Sequence, residues 1–283
     1  MIRLDAATFL LQWAVGGLFF TWVTTRRREV GLGYGWLMRG TFALFALASV
    51  VVGQVVGPVP VRDVAAVGVV VASVAALVVS VQRKAAGVAG QREVVERRSA
   101  RVAAMTGIDR EEQRFDADAP EFPPALDLVA PAIGLVGLVA AGIDAGSPAW
   151  LSVLRLLVGA AFLGSVTDAM LLGHWYLVQP GLARGPLLEL VRWTGWLWPL
   201  EVAVFLIPVG MVSVLNGTID DDYGGILGWM WVTCAVTTIG LVLVTRAALR
   251  ERQYSAVMAA TGLLYLAILT AFGTDLVARA LLA

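Results

Sequence analysis

The sequence predicts an all-α fold, a polytopic membrane bundle of about eight transmembrane helices. Three observations indicate this fold. Hydrophobic residues make up 59% of the 283 residues and charged residues 15%, with a mean hydropathy of +0.80, whereas a soluble domain averages roughly 45–50% apolar and 25% charged residues. The apolar residues form runs of about 20, the length of a membrane-crossing helix. The loops between these runs alternate in charge.

Eight apolar runs are long enough to be spans. The third and seventh carry no charged residue, whereas the fifth and sixth contain several ionisable side chains. The first run is followed by its basic cluster and lacks a small-residue cleavage site, so it is interpreted as a retained span and not as a signal peptide. The runs lie at about 6–25, 38–57, 64–81, 126–144, 149–177, 186–215, 224–245 and 254–278.

Basic residues concentrate in every second loop. RRREV follows the first span, QRKAAGVAGQREVVERRSAR the third, Arg184 the fifth and RAALRERQ the seventh, while GPVPVRD, DAGSP and NGTIDDDY fill the other loops. The positive-inside rule then places both termini outside and the basic loops in the cytoplasm. We therefore expect one transmembrane domain over 1–283, with one larger cytoplasmic loop at 82–125. The excess of arginine and valine favours a bacterial plasma membrane.

Three rare residue types exclude several cofactors. Cys234 is the only cysteine, so this chain alone cannot ligate an iron–sulfur cluster. His174 is the only histidine, which excludes an intrachain haem held by two histidines, and no metal site is predicted. Lys84, the only lysine, lies outside the apolar runs, so a retinal Schiff base has no candidate. The formal net charge of zero gives no basic field for nucleic acid.

Ionisable side chains inside a membrane are costly and mark candidate functional sites. The fifth and sixth runs concentrate them, and the short connection at 178–185 makes these two helices an antiparallel hairpin. With a rise of about 1.5 Å per residue, Asp168 and Arg192 fall at similar depths, and we expect them to pair. Glu189 lies one turn from Arg192 and could share it. The six ionisable residues are Arg155, Asp168, His174, Glu189, Arg192 and Glu201.

Glu201 is expected close to the middle of the membrane, without a partner. An unpaired carboxyl group in an apolar interior is most stable in its protonated form, which makes Glu201 a candidate proton carrier. The alternative is a neutral side chain bonded to a carbonyl that Pro199 or Pro208 leaves free. On the preceding span, Ala160 and Gly164 are four residues apart, a spacing of small residues that suits close helix packing.

The segment LLGHWYLVQPGL at 171–182 predicts a quinone site at the cytoplasmic end of spans five and six. A quinone head needs hydrogen-bond donors, an aromatic slot and a route for protons. The alternative is an interface anchor made of aromatic residues. The candidate ligand-binding residues are His174, Trp175, Tyr176, Gln179, Arg192, Trp193 and Arg155, and the candidate catalytic proton carriers are Asp168, Glu201 and Glu189.

Three functions fit these features. The first is a membrane subunit of a respiratory or redox complex that binds quinone, contacts membrane lipids and receives electrons from a partner subunit docked on the loop at 82–125. The second is a proton-coupled secondary transporter or permease that uses the same buried charges. The third is a structural or assembly protein. The acidic run DDDY at 220–223 lies on the predicted outside, unlike the cytoplasmic metal-binding motifs of membrane transferases.

Overall fold

A computed structural model describes residues 5–106, 115–116, 118–179, 182–251 and 253–283. Its regular elements are all helical over this part of the chain. They are α1 (Ala6–Thr25), α2 (Leu32–Val56), α3 (Pro60–Gln82), α4 (Ala89–Thr106), α5 (Val129–Ala145), α6 (Ala149–Val178), α7 (Gly185–Leu206), α8 (Met211–Leu215), α9 (Ile226–Ala248) and α10 (Tyr254–Leu281), with short 3-10 turns at Lys84–Ala86 and Pro124–Leu128.

Seven helical segments of the described chain are long and apolar enough to cross a membrane, which confirms the predicted helical membrane bundle. They are α1, α2, α3, the segment Pro124–Ala145 that contains α5, α6, α9 and α10. The expected sixth span, α7, has the length, with 22 residues, but Glu189, Arg192 and Glu201 lower its apolar character. It packs between α6 and α9 inside the bundle.

The antiparallel helices give the bundle two ends of different charge. At one end Arg26 binds Glu189 at 2.5 Å, Arg28 binds Glu121 at 2.8 Å, and Arg184 donates to backbone carbonyls of the α9–α10 loop. We call this the basic end. The opposite end, called the acidic end, is formed by the start of α1, the loops at 57–59 and 146–148, and residues 207–225.

The sixth span ends earlier than the sequence predicts. The apolar run extends to residue 215, but α7 stops at Leu206, and Ile207 is extended. Proline disfavours helical backbone in the residue before it, and Pro208 follows at once. Glu201 therefore lies five positions, about 8 Å, from the acidic end of α7, closer to the end of its helix than the apolar run to residue 215 predicts.

The loop predicted at 82–125 contains a helix of its own, α4. Arg92 of this helix binds Glu121 at 2.7 Å, and the backbone N–H of Gly90 bonds the carbonyl of Arg28 at 2.9 Å. The segment is therefore attached to the basic end of the bundle. Residues 107–114 and 117 of this loop lie outside the described residues.

The closest helix contact joins α1 to α6. A Cβ atom on Gly16 would lie 1.8 Å from the carbonyl oxygen of Ala160, and one on Gly164 would lie 2.2 Å from the carbonyl carbon of Gly16. Only glycine permits this approach. The close packing predicted from Ala160 and Gly164 is confirmed, and it brings the polar residues of α1 and α6 to the centre of the bundle.

Buried ion pairs tie the remaining helices together. Arg39 of α2 binds Asp127 through Nε at 2.6 Å and Nη2 at 2.8 Å, and Thr25 donates to the same carboxylate at 2.9 Å. Removing one partner of a buried pair typically costs about 3–5 kcal/mol. These contacts fix the loop before α5 against α1 and α2.

Candidate functional site

A buried polar cluster lies where four helices meet, towards the acidic end. It consists of Gln12 of α1, Glu201 of α7, and Asp275 and Arg279 of α10, all between 0% and 2% exposed. Arg279 donates to Asp275 through Nε at 2.6 Å and to Gln12 Oε1 through Nη2 at 2.5 Å. Because Asp275 and Arg279 are four residues apart, one face of α10 presents both.

A glycine on α6 makes room for this cluster. A Cβ atom on Gly159 would lie 2.4 Å from Gln12 Nε2, 2.8 Å from Asp275 Oδ1 and 3.3 Å from Arg279 Nη2. The absence of a side chain at Gly159 therefore lets the polar groups of α1 and α10 meet over the surface of α6.

Glu201 is the unusual member of the cluster. Neither of its carboxyl oxygens receives a hydrogen bond from a donor in the described chain, and the charged groups that act on it are Asp275 and Arg279. Two ionised carboxylates near each other in an apolar interior repel, and a proton on one of them relieves the repulsion. Arg279 pairs with Asp275, so Asp275 has a counter-ion, whereas Glu201 has no hydrogen-bonded partner in the described chain.

Arg155 of α6 closes the site from the acidic end. Its guanidinium donates to the carbonyl oxygens of Val204 at 3.0 Å, Ile207 at 3.2 Å and Val209 at 3.1 Å. These carbonyls lie at the end of α7, where the helix leaves acceptors without donors. Arg155 is also near enough to Arg279 for the two charges to repel. These hydrogen bonds go to the protein backbone, and the guanidinium also lies over the ring of Phe205, 5.6 Å from its centroid.

The predicted pair between Asp168 and Arg192 does not form. Asp168 is fully buried and accepts from Thr21 at 3.4 Å, while its other carboxyl oxygen has no partner in the described chain. Arg192 is exposed and donates to the carbonyl of Leu188 on its own helix. The rotation of α7 turns Arg192 outwards, which depth along the membrane could not reveal.

Glu189 binds the loop after α1 and does not share Arg192. Its carboxylate lies 2.5 Å from Arg26 Nη2 and 2.6 Å from Arg27 Nε. Both partners lie in the first basic loop, so Glu189 fixes α7 to the basic end.

The predicted quinone residues are not gathered at one point. His174 is exposed and its Nδ1 lies 3.1 Å from the hydroxyl of Tyr265, at the contact between α6 and α10. Tyr176 is buried and donates to the carbonyl of Ala183 at 2.5 Å, within the turn that joins α6 to α7. The geometry of both residues fits a structural role.

The two tryptophans expected to form one slot belong to different contacts. Trp175 packs edge-on against Tyr34 of α2. Trp193 packs against Phe20 of α1 and Trp196 of its own helix. An aromatic slot shared by Trp175 and Trp193 is therefore absent from the described structure.

A cavity at the basic end contains two of the predicted ligand-binding residues. It has a volume of about 450 Å³ and is lined by Trp175 and Gln179, together with Trp36, Lys84, Gln91 and Phe115. Trp175 donates to Gln179 Oε1 at 3.2 Å, so the two side chains form one wall. Aromatic and amide groups of this kind suit a ligand with an apolar body and a polar head.

Sequence reasoning missed Gln12, Asp275 and Arg279. A signal existed for the last two, because an acidic and a basic residue four apart near the end of the last apolar run indicate a pair on one helix face. Gln12 is the polar interruption of the first run. Neither signal shows that these residues lie in one cluster with Glu201, since that depends on which helices are neighbours.

The acidic run 220–222 has a structural role at Asp221. Its carboxylate accepts hydrogen bonds from the backbone N–H groups of Gly225 at 2.7 Å, Leu227 at 2.8 Å and Tyr223 at 3.1 Å. These donors hold the pKa of Asp221 below its usual value. Within the described residues, no group of three or more histidine, cysteine, aspartate or glutamate side chains could hold a metal ion.

Comparisons with protein-family models, with curated proteins and with solved structures find no match to this chain. The buried cluster around Glu201 and the cavity at the basic end are therefore the evidence on function.

Proposed function

We propose that the chain is a proton-coupled secondary transporter of the bacterial plasma membrane, in which Glu201 and Asp275 share the transported proton. One observation carries this proposal: two fully buried carboxyl groups lie near each other, and only one of them is paired with an arginine. Buried carboxyl pairs recur where a protein has to hold and release a proton. A bundle held together only by polar contacts would not need the second carboxyl group.

Some of the charges around the pair favour protonated Glu201, and others favour ionised Glu201. Glu201, Asp275 and Arg279 are neutral together when Glu201 is protonated. Arg279 also acts on Glu201, and its positive charge attracts an ionised carboxylate. These opposing demands suit a group that gains and loses a proton during a cycle.

The break in α7 supports transport over a purely structural role. The helix ends one and a half turns after Glu201, and Arg155 satisfies the carbonyls that the break exposes. Interrupted helices beside a coupling-ion site are a recurrent feature of secondary transporters. A change of backbone conformation at this break would move the carbonyls that Arg155 binds and, with them, the end of the helix that carries Glu201.

The experiment is a pH jump on the purified protein in a solid-supported membrane. Proton binding at a buried site moves charge across part of the membrane, so the wild-type protein should give a transient current. Glu201→Gln keeps the shape but cannot take up this proton, and the current should disappear. Glu93→Gln, an exposed change on α4, should leave it intact. A current of wild-type size in Glu201→Gln contradicts the proposal.

The cavity at the basic end favours a second candidate, a quinone-binding membrane subunit whose electrons come from a partner docked on the loop at 82–125. If this is correct, the purified protein contains quinone, and Trp175→Ala, which removes a cavity wall, lowers the amount extracted. Trp196→Ala, at a Trp that is 64% exposed, should have no effect, and neither should His174→Ala. Unchanged quinone content in Trp175→Ala argues against this function.

A further inference from the structure

A second cavity opens at the acidic end, between the starts of α1 and α6 and the loop from α2 to α3. Its volume is about 390 Å³. Polar and apolar groups both contribute to its walls, which include Asp5, Thr8, Val59, Ala141, Asp144 and Leu156. Cavities of this size with carboxylate and hydroxyl groups in their walls hold water.

The inner wall of this cavity lies one helical turn from the Glu201 cluster. Thr8 lines the cavity, and Gln12 of the cluster follows four positions later on α1, a rise of about 6 Å. On α6, Leu156 lines the cavity and Gly159 follows three positions later, a rise of about 4.5 Å. Two helices thus lead from the same cavity to the same cluster.

A thin apolar layer separates the cavity from the cluster. Leu156 and Ala141 belong to one buried hydrophobic group with Ala278 of α10 and with Leu282, the residue after that helix. Ala278 directly precedes Arg279, so this apolar group connects the cavity wall to the charged cluster. Leu156 is the largest of the cavity-lining members and is 1% exposed.

We propose that the cavity at the acidic end is the aqueous entrance through which protons reach the Glu201–Asp275 pair from the predicted outer face, with Leu156 as its gate. The identity of the pair as the proton site rests on the proposed function. The existence of a water-filled entrance that ends at Leu156 rests only on the cavity and on the helix geometry, so the two can be tested separately.

The charged groups around Glu201 are consistent with entry from this end. Asp275 and Arg279 of α10 act on Glu201 directly, and Arg155 of α6 acts on Arg279. Gln12 from α1 is neutral. The charged residue of α9, Arg246, lies in the last turn of that helix, at the basic end. The charged groups that interact electrostatically with Glu201 therefore all lie on the cavity side of the bundle.

The test uses cysteine accessibility in a Cys234→Ser background, reconstituted in vesicles. A charged, membrane-impermeant methanethiosulfonate reagent added on the acidic side should modify Leu156→Cys, because the shorter cysteine side chain opens the apolar layer at the inner wall of the cavity. Leu154→Cys is the matched control, since Leu154 lies two positions away, 36% exposed on the outside of the bundle. It should react far more slowly in lipid. Ala145→Cys, a milder change at the cavity wall, should also react.

The pH-jump current before and after modification then tests the route. Modification of Leu156→Cys or Ala145→Cys should abolish the current, because the attached group fills the entrance. Equal reactivity at Leu156→Cys and Leu154→Cys, with no reaction at Ala145→Cys, overturns the entrance. Full modification at Leu156→Cys with an unchanged current overturns the route and leaves the proton site standing. A wild-type current in Glu201→Gln overturns the proposed function, while the labelling still reports on the cavity.

Discussion

At the scale of single residues, the function proposed depends on one contact between side chains that lie 74 positions apart. Glu201 and Asp275 lie near each other because α7 and α10 both pack against α6, where Gly159 leaves room for the side chains of Asp275 and Arg279. A buried carboxyl pair is unfavourable for folding by itself. Its burial is supported by Arg279, which neutralises Asp275 and is held in turn by Gln12.

Gly159→Ala tests the space that the cluster needs. The three atoms nearest to the new methyl group are side-chain atoms of Gln12, Asp275 and Arg279, so the helices can stay in place while the polar contacts are displaced. We expect a moderate loss of stability, about 1–3 kcal/mol, and loss of the pH-jump current. Thermal unfolding in detergent measures the first effect.

Gly262→Ala is the control, because nothing lies within 4 Å of a Cβ atom at Gly262 on α10. It should be neutral or raise stability by up to about 1 kcal/mol, since glycine weakens a helix relative to alanine. If Gly159→Ala keeps the full current, the cluster does not require the geometry described.

Sequence reasoning finds the candidate residues of α6 and α7 but assigns most of their contacts incorrectly. Composition and depth pick out Asp168 and Glu201, which are both fully buried. The partner of each depends on helix rotation and on which helices are neighbours. For that reason Arg192 turns outwards, Glu189 binds Arg26 and Arg27, and Asp275, nearly at the end of the chain, becomes the neighbour of Glu201.

At the scale of elements, apolar periodicity and length predict the helices well, and prolines and glycines shift their ends. The break after Leu206 moves Glu201 from the expected centre to the region near the acidic end. The stretch 207–225 then leads to α9. At its end the carboxylate of Asp221 accepts hydrogen bonds from N–H groups that a helix leaves unpaired at its start.

Asp221→Ala should weaken the start of α9 in a pH-dependent way. The pKa of Asp221 is lowered in the folded protein, so its stabilising effect is present above the usual pKa of aspartate, about 4, and is lost as the pH falls through the lowered value. The difference in unfolding temperature between Asp221→Ala and wild type should therefore be largest at neutral pH and vanish in acid. Asp220→Ala, which removes a single backbone hydrogen bond, should have a smaller effect. A difference that grows in acid contradicts this assignment.

At the scale of the whole molecule, the two ends of the bundle differ in the sign of the charged residues that they carry. Arginines of the basic end bind Glu189, Glu121 and backbone carbonyls, while the acidic end carries Asp5, Asp144 and the run 220–222. Orientation in the membrane follows from this asymmetry through the positive-inside rule. The helix series, with α7 included, then returns the end of α10 to the side on which α1 begins.

Reporter fusions check this arrangement. An alkaline phosphatase fused after Ala283 should be active, because the end of α10 is expected outside, whereas a fusion after Lys84 should be inactive. Inactive enzyme at Ala283 together with inactive enzyme at Lys84 indicates that α7 does not cross. Activity at Lys84 indicates the opposite orientation.

The contact of α1 with α6 at Gly16 has a mechanical consequence. The two backbones are in direct contact there, so neither helix can slide or rotate past the other without a steric clash. The two helices therefore form a rigid pair within the bundle. Packed interfaces switch between discrete arrangements and do not deform gradually. For the proposed transport cycle, we therefore expect a swing of α7 and α10 around this rigid pair of helices, with the break after Leu206 as the hinge.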